Sequence, residues 1–115
     1  MPRYKLVVMS SATEGREDEY NTWYNNQHLG DVVNVPGFSS AYRMKLNKPV
    51  QGEFRHKYCA IYDLDATDPN AAVQALMTTQ MHISEAINSG TVDCAVFEVC
   101  SPQVAAPEKK AAATA

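Results

Sequence analysis

Tyr20-Asn21-Thr22-Trp23-Tyr24-Asn25-Asn26-Gln27-His28-Leu29-Gly30-Asp31, with Pro36-Gly37-Phe38 shortly after it, is the stretch whose reading decides the fold. Wound at about 3.6 residues per turn, Tyr20, Trp23, Tyr24, Gln27 and Asp31 share one helix face. His28 lies at the edge of that face, one turn beyond Tyr24. A face built only for packing would be mostly Leu, Ile and Val. This one carries phenols, an indole, an amide, an imidazole and a carboxylate, which suits the wall of a cavity with a polar end. Pro36-Gly37 then stops the helix and starts a strand.

The rest of the chain can be read outward from there. Residues 4–9 form a short apolar run that predicts a buried strand. Glu17, Asp18 and Glu19 crowd the first turn of the helix, where the dipole favours negative charge. That helix is predicted to reach about residue 34, with a bend near Gly30. Strands are predicted at 38–46 and 57–64, with an exposed loop over 47–56. Asp68 is a good N-cap and Pro69 suits the first helical position. Val73, Leu76, Met77, Gln80, Ile83, Ser84 and Ile87 then share a face, and Ser89-Gly90 ends that helix. A last strand covers 91–100. Residues 1–101 are read as one domain, and 102–115 as a disordered Ala/Pro/Lys tail.

The order strand, helix, strand, strand, helix, strand is that of a ferredoxin-like α+β fold with a four-stranded antiparallel sheet. Two helices cover one face of such a sheet. Yet Leu6 and Val8 alternate with Val7 and Met9, and Cys94 and Val96 alternate with Ala95, Phe97 and Val99. Strands apolar on both sides need cover on both sides. The expected cover is a second copy, giving a homodimer joined through the sheet face.

Composition narrows the function classes. At 115 residues and a net charge of −3, the chain suits one domain with a real core. No basic patch alternates with aromatics, so nucleic acid is not an expected partner, and no long apolar run suggests a membrane span. The first residues enter a strand at once and leave no room for a signal peptide. Cys59, Cys94 and Cys100 suit buried, reduced thiols and a cytoplasmic location. Neither they nor the histidines have metal-ligand spacing.

The pattern Glu19-Tyr20-x-x-Trp23-Tyr24-x-x-x-His28-Leu29-x-Asp31-Val32, then Val35-Pro36-Gly37-Phe38 and Ala41-x-Arg43, resembles the EthD-like branch of the dimeric α+β barrel superfamily. The resemblance implies that fold over residues 3 to 100. Relatives of this kind include isomerases, polyketide cyclases, cofactor-free monooxygenases and haem-dependent enzymes, so the reaction stays open. Many such sequences have Leu-Pro-Asp where this chain has Leu29-Gly30-Asp31, which predicts a relaxed helix at Gly30.

The resemblance places His28 in the site. As a general acid or base, His28 would shuttle a proton beside a carbonyl. Asp31 would contact it along the helix, raising its basicity or fixing its tautomer. Tyr20 or Tyr24 would hydrogen-bond a developing enolate, and Trp23 would wall an aromatic or lactone ring. Alternatively, His28 caps a hydrophobic cluster and bonds the backbone. Arg43 is either a clamp for a substrate oxygen or a salt-bridge partner of Asp63 or Glu98. Tyr42 and Tyr58 read as core or dimer packing, and Tyr62 as a phenol at the cavity. His82 is predicted to face solvent, His56 to be solvated, and Cys59 and Cys94 to be inert.

These residues lead to a cofactor-independent enzyme of isomerase, cyclase, dehydratase or lyase type, acting on a small ring-bearing carbonyl or lactone compound. No metal and no cofactor is expected. A non-catalytic small-molecule binding protein is the alternative, and a haem-dependent oxygenase a third. The cavity is expected between the helices and the chain's own sheet.

Overall fold

The computed structural model describes residues 3–108. Four strands, β1 (Tyr4–Ser10), β2 (Phe38–Lys45), β3 (Tyr58–Leu64) and β4 (Asp93–Glu98), form one antiparallel sheet in the order β2-β3-β1-β4. The first helical region comprises α1 (Glu17–Trp23), a π-helical turn (Tyr24–His28) and α2 (Leu29–Val33), and the second is α3 (Pro69–Thr78). This is the predicted ferredoxin-like α+β architecture.

Alternation along the strands divides the sheet into two faces. Leu6 and Ser10 of β1 share the helix-covered face with Tyr58, Ala60, Tyr62 and Leu64 of β3, and all six are buried. The opposite face carries Met9, Tyr42, Met44 and Phe97, all exposed in the single chain. In β2 the register slips by one residue between Phe38 and Ser40. Such a bulge reverses the parity of every later residue in the strand. Phe38 and Arg43 therefore lie on the same, helix-covered face, opposite Leu64 and Ala60 of β3.

The first helix departs from the predicted geometry. Instead of bending at Gly30, it widens over Tyr24–His28, where the Leu29 N–H reaches back five residues to the Tyr24 carbonyl. A π turn takes up an extra residue and rotates the helix beyond it. Tyr20, Trp23 and Tyr24 stay in the core, but Gln27 is exposed and Asp31 only half-buried, while Val32 is buried. The polar half of the predicted face has turned outward.

The second helix begins as predicted: Asp68 Oδ1 accepts from the Asn70 and Ala71 N–H groups, and Pro69 opens the helix. It ends at Thr78, well short of the Ser89-Gly90 stop that the periodicity predicted. The Thr79 hydroxyl bonds the Ala75 carbonyl at 2.6 Å, and Thr79 itself is extended. Hydroxyls that bond the preceding turn compete with helix propagation. Ala72, with Ala75 and Leu76 beside it, packs on the core, whereas Met77 and Ile83 of the predicted stripe are exposed.

Other predictions need correction. Cys94 and Cys100 are exposed rather than buried, although all three cysteines are free thiols. His56 is not solvated: its side chain is only 7% exposed and pairs with Asp93. His82 is exposed as expected, but it lies beyond the end of α3 and not on a helix. Among the described residues no helix is long and apolar enough to cross a membrane. Residues 102–108 are exposed and without regular structure, and the remainder of the predicted tail lies outside the described residues.

Gly37 is where the helix-to-strand turn and α3 meet. Its φ is +99°, and a Cβ there would lie 2.8 Å from the Ala72 Cβ. Gly30 sits in open space within α2. Gly37→Ala is expected to lose about 2–3 kcal/mol of stability through backbone strain and that clash. Gly30→Ala should gain about 0.5–1 kcal/mol from helix propensity. Urea unfolding of the two variants checks both signs.

Candidate functional site

Where the first helix lies on the sheet, one cation is enclosed by aromatic rings. The Arg43 guanidinium carbon stands 4.3 Å from the Tyr24 ring centroid, 4.9 Å from that of Tyr58 and 5.2 Å from that of Tyr20. Its two terminal nitrogens donate to Asn25 Oδ1 at 2.7 Å and Asn21 Oδ1 at 3.0 Å. These asparagines are spaced one turn apart, so the helix presents a two-pronged acceptor to the planar fork. Asn21 Nδ2 in turn donates to the Tyr58 hydroxyl, which donates to Glu17 at 2.6 Å. That phenol and the neighbouring Lys57 hold the Glu17 carboxyl below its ordinary range. The Arg43 Nε is buried and has no partner.

Arg43 therefore pairs with neither Asp63 nor Glu98. Asp63 lies on the other sheet face, bonded to Lys5 and Ser40. The β2 bulge separates the two residues.

His28 also stands against Tyr24. Its imidazole stacks on Trp23, with centroids 4.5 Å apart and planes at 23°, and meets Tyr24 edge-on at 5.0 Å. Nδ1 is buried with no partner. Burial lowers the His28 pKa from its ordinary value, and the negative charge of Asp31 opposes that shift only in part. The predicted contact with Asp31 is thus replaced by a weaker field effect, and the outcome is an imidazole that is neutral at pH 7. Tyr24 carries a phenol pushed up to about 12, chiefly by burial. Tyr62 donates to the Tyr24 hydroxyl at 3.4 Å, and burial raises the Tyr62 pKa as well.

Of the predicted site residues, the structure gathers His28, Trp23, Tyr24, Arg43 and Tyr62 around one cluster, with Tyr24 touching most of the others. Tyr20 is wholly buried and commits its hydroxyl to Ser10 at 2.6 Å. The Trp23 indole donates to the His82 carbonyl at 3.1 Å. Asp31 instead faces a cleft of about 420 Å³ that runs between the first helix and residues 79–82. His28 is not among the residues lining it. Asn21 and Asn25, which hold Arg43, escaped the sequence reading, although their spacing beside two tyrosines was the available signal. Among the described residues no three His, Cys, Asp or Glu side chains gather as metal ligands.

No family model matches the sequence, and no curated protein matches it closely enough to count as a relative. Among solved structures, the chain is similar to an ethyl tert-butyl ether D (EthD) family protein from Bacillus halodurans C-125. The match has a TM-score of 0.54 at 14% identity and covers 85% of this chain and 99% of that one. The fold is thus EthD-like, with one four-stranded antiparallel sheet and helices against one face.

Arg43→Lys keeps the charge but cannot reach both asparagines or stack as a plane. It should lose about 1–2 kcal/mol of stability in urea unfolding. Tyr24→Phe, which removes only the long Tyr62 contact, should cost less than about 1 kcal/mol.

Proposed function

We propose that this chain is an enzyme acting without a cofactor on a small ring-bearing carbonyl or lactone compound, with His28 as general base and acid. The observation that carries this reading is the His28 imidazole, stacked on Trp23 and edge-on to Tyr24, with an unpartnered Nδ1. A neutral imidazole in a desolvated place can take a proton from carbon beside a carbonyl, and the electron pair then moves onto the carbonyl oxygen. Tyr24 suits the second role. Its raised pKa keeps the phenol protonated, and since Tyr62 donates to it, its own proton is available for an oxyanion. Protonation of the neighbouring carbon by the same imidazole then completes an isomerisation. Elimination of a leaving oxygen gives the dehydratase or lyase outcome.

In this reading, substrate approaches through the 420 Å³ cleft, whose Gln27 precedes His28 on the helix. The absence of His28 from the cleft lining favours a second reading, a binding protein that holds the same class of compound without turning it over.

The same proposal includes a cytoplasmic homodimer, in which a second copy covers the exposed Tyr42, Met44 and Phe97 of the open sheet face. Sedimentation should report a dimer for the native chain and a monomer for Phe97→Lys combined with Tyr42→Lys.

His28→Ala should lower kcat by about a hundredfold or more on a turned-over substrate, which is the general-base contribution, with dimer and fold retained. Unchanged turnover would sink the proposal, and unchanged binding by a protein with no turnover would select the second reading. The native pH profile should lose kcat/KM as acid protonates His28, with an apparent pKa below the ordinary 6.5. Stability has the same sign. The unfolded chain protonates this residue more readily, so its contribution is full above pH 6.5 and shrinks as the pH falls toward the folded pKa.

A further inference from the structure

Two of the rings that would receive a substrate are shut off from solvent. Trp23 is 6% exposed and Tyr24 1%, and neither lines the 420 Å³ cleft beside them. Tyr24 lies against Arg43 and against Tyr62 of β3, a strand paired along both edges. Trp23 is met from another direction, by the segment that follows α3, whose His82 carbonyl takes the indole N–H at 3.1 Å. The same His82, with Thr79, Gln80 and Met81, forms one wall of the cleft.

This segment is fastened at its ends and slack between them. At one end the Thr79 N–H bonds the Leu76 carbonyl at 3.2 Å, and the Thr79 hydroxyl bonds that of Ala75. At the other end Ala86 is buried, its N–H donates to Ser84 Oγ at 3.0 Å, and its carbonyl takes the Thr13 N–H at 2.6 Å. Gln80, Met81, His82 and Ile83 have no regular structure. Among the described residues their backbones make no hydrogen bond with another backbone. What holds them down is the Trp23 indole and the half-buried Met81 side chain, which packs on the core. Lifting these residues gives up one hydrogen bond and part of one side chain's packing, far less than moving the helix or a paired strand would.

We propose that residues 80–83 are a lid over Trp23, hinged at Thr79 and Ser84. Raised, the lid joins the cleft to the Trp23 ring and to the His28 imidazole stacked on it. A flat ring compound then enters from the cleft, and closure over it excludes water. That role rests on the catalytic reading above. The motion itself does not, and it is measured without ligand or turnover.

Trp23 is the only tryptophan, so the full-length protein gives one indole N–H signal by NMR. After transfer to deuterated water, that proton should be protected from exchange about a hundredfold less, or weaker still, than the Tyr62 amide of β3, with no dependence on low urea. Met81→Ala removes an anchor of the lid and should speed indole exchange about tenfold further relative to Tyr62. Met81→Leu, which keeps the anchor, should restore the native ratio. Because Tyr62 is followed in the same sample, a general loss of stability in either variant cancels from that ratio. Indole and Tyr62 protons that exchange together, with the same urea dependence, would overturn the proposal, since the segment would then lift only when the whole molecule unfolds. A ratio that Met81→Ala leaves unchanged would do the same, by showing that the indole proton escapes without the lid.

Discussion

The docking of the first helix on the sheet depends on a single guanidinium. Arg43 lies against the rings of Tyr20, Tyr24 and Tyr58, and two asparagines of the same helix take its terminal nitrogens. Aromatic faces attract a partly desolvated cation by about 1–2 kcal/mol each at best. The asparagines add direction: a planar fork met by acceptors at positions 21 and 25 fixes both the rotation of the helix and its height along β2. The cluster packs as a core does, yet it retains polarity where an all-aliphatic interface would have none. That is the condition under which ionisable groups nearby acquire unusual chemistry.

His28 illustrates this. The π turn brings its ring onto Trp23 and beside Tyr24, while rotating Gln27 and Asp31 toward the outer cleft. Two consequences come from the same extra residue. The imidazole loses water, which favours its neutral form, and it loses close contact with the carboxylate that would have charged it. A regular helix would have kept Asp31 on the same face as the aromatic stripe. The wide turn is therefore as much an electrostatic device as a geometric one.

Much of this was legible in the sequence, for physical reasons that can be named. The order of elements, the Asp68-Pro69 start and the acidic first turn are local signals, carried by residues that act on their own backbone. The aromatic stripe and His28 were legible because helical period places neighbours predictably. What failed was phase. The bulge at Ser39 has no marker in composition, and without it Arg43 falls on the face with Asp63. The π turn likewise shifted the face by part of a turn. The second helix was extended too far because Ile83, Ser84 and Ile87 keep the helical period although Thr78 and Thr79 divert carbonyls before them. The partnership of His56 with Asp93 joins residues 37 positions apart, and only the folded connection across the sheet reveals it.

The early end of α3 has a consequence for how the molecule opens. Strand β4 is an outer strand, bonded to β1 alone, and all six of its residues are exposed. It has few apolar contacts to hold it against thermal fluctuation, whereas β1 and β3 are flanked on both edges. Partial unfolding should begin there, and amide hydrogens of β4 should exchange through openings far smaller in free energy than global denaturation. Asp93 stands at the first residue of that strand. The fastening between the β2–β3 connection and the sheet is thus made to the least anchored part of the fold.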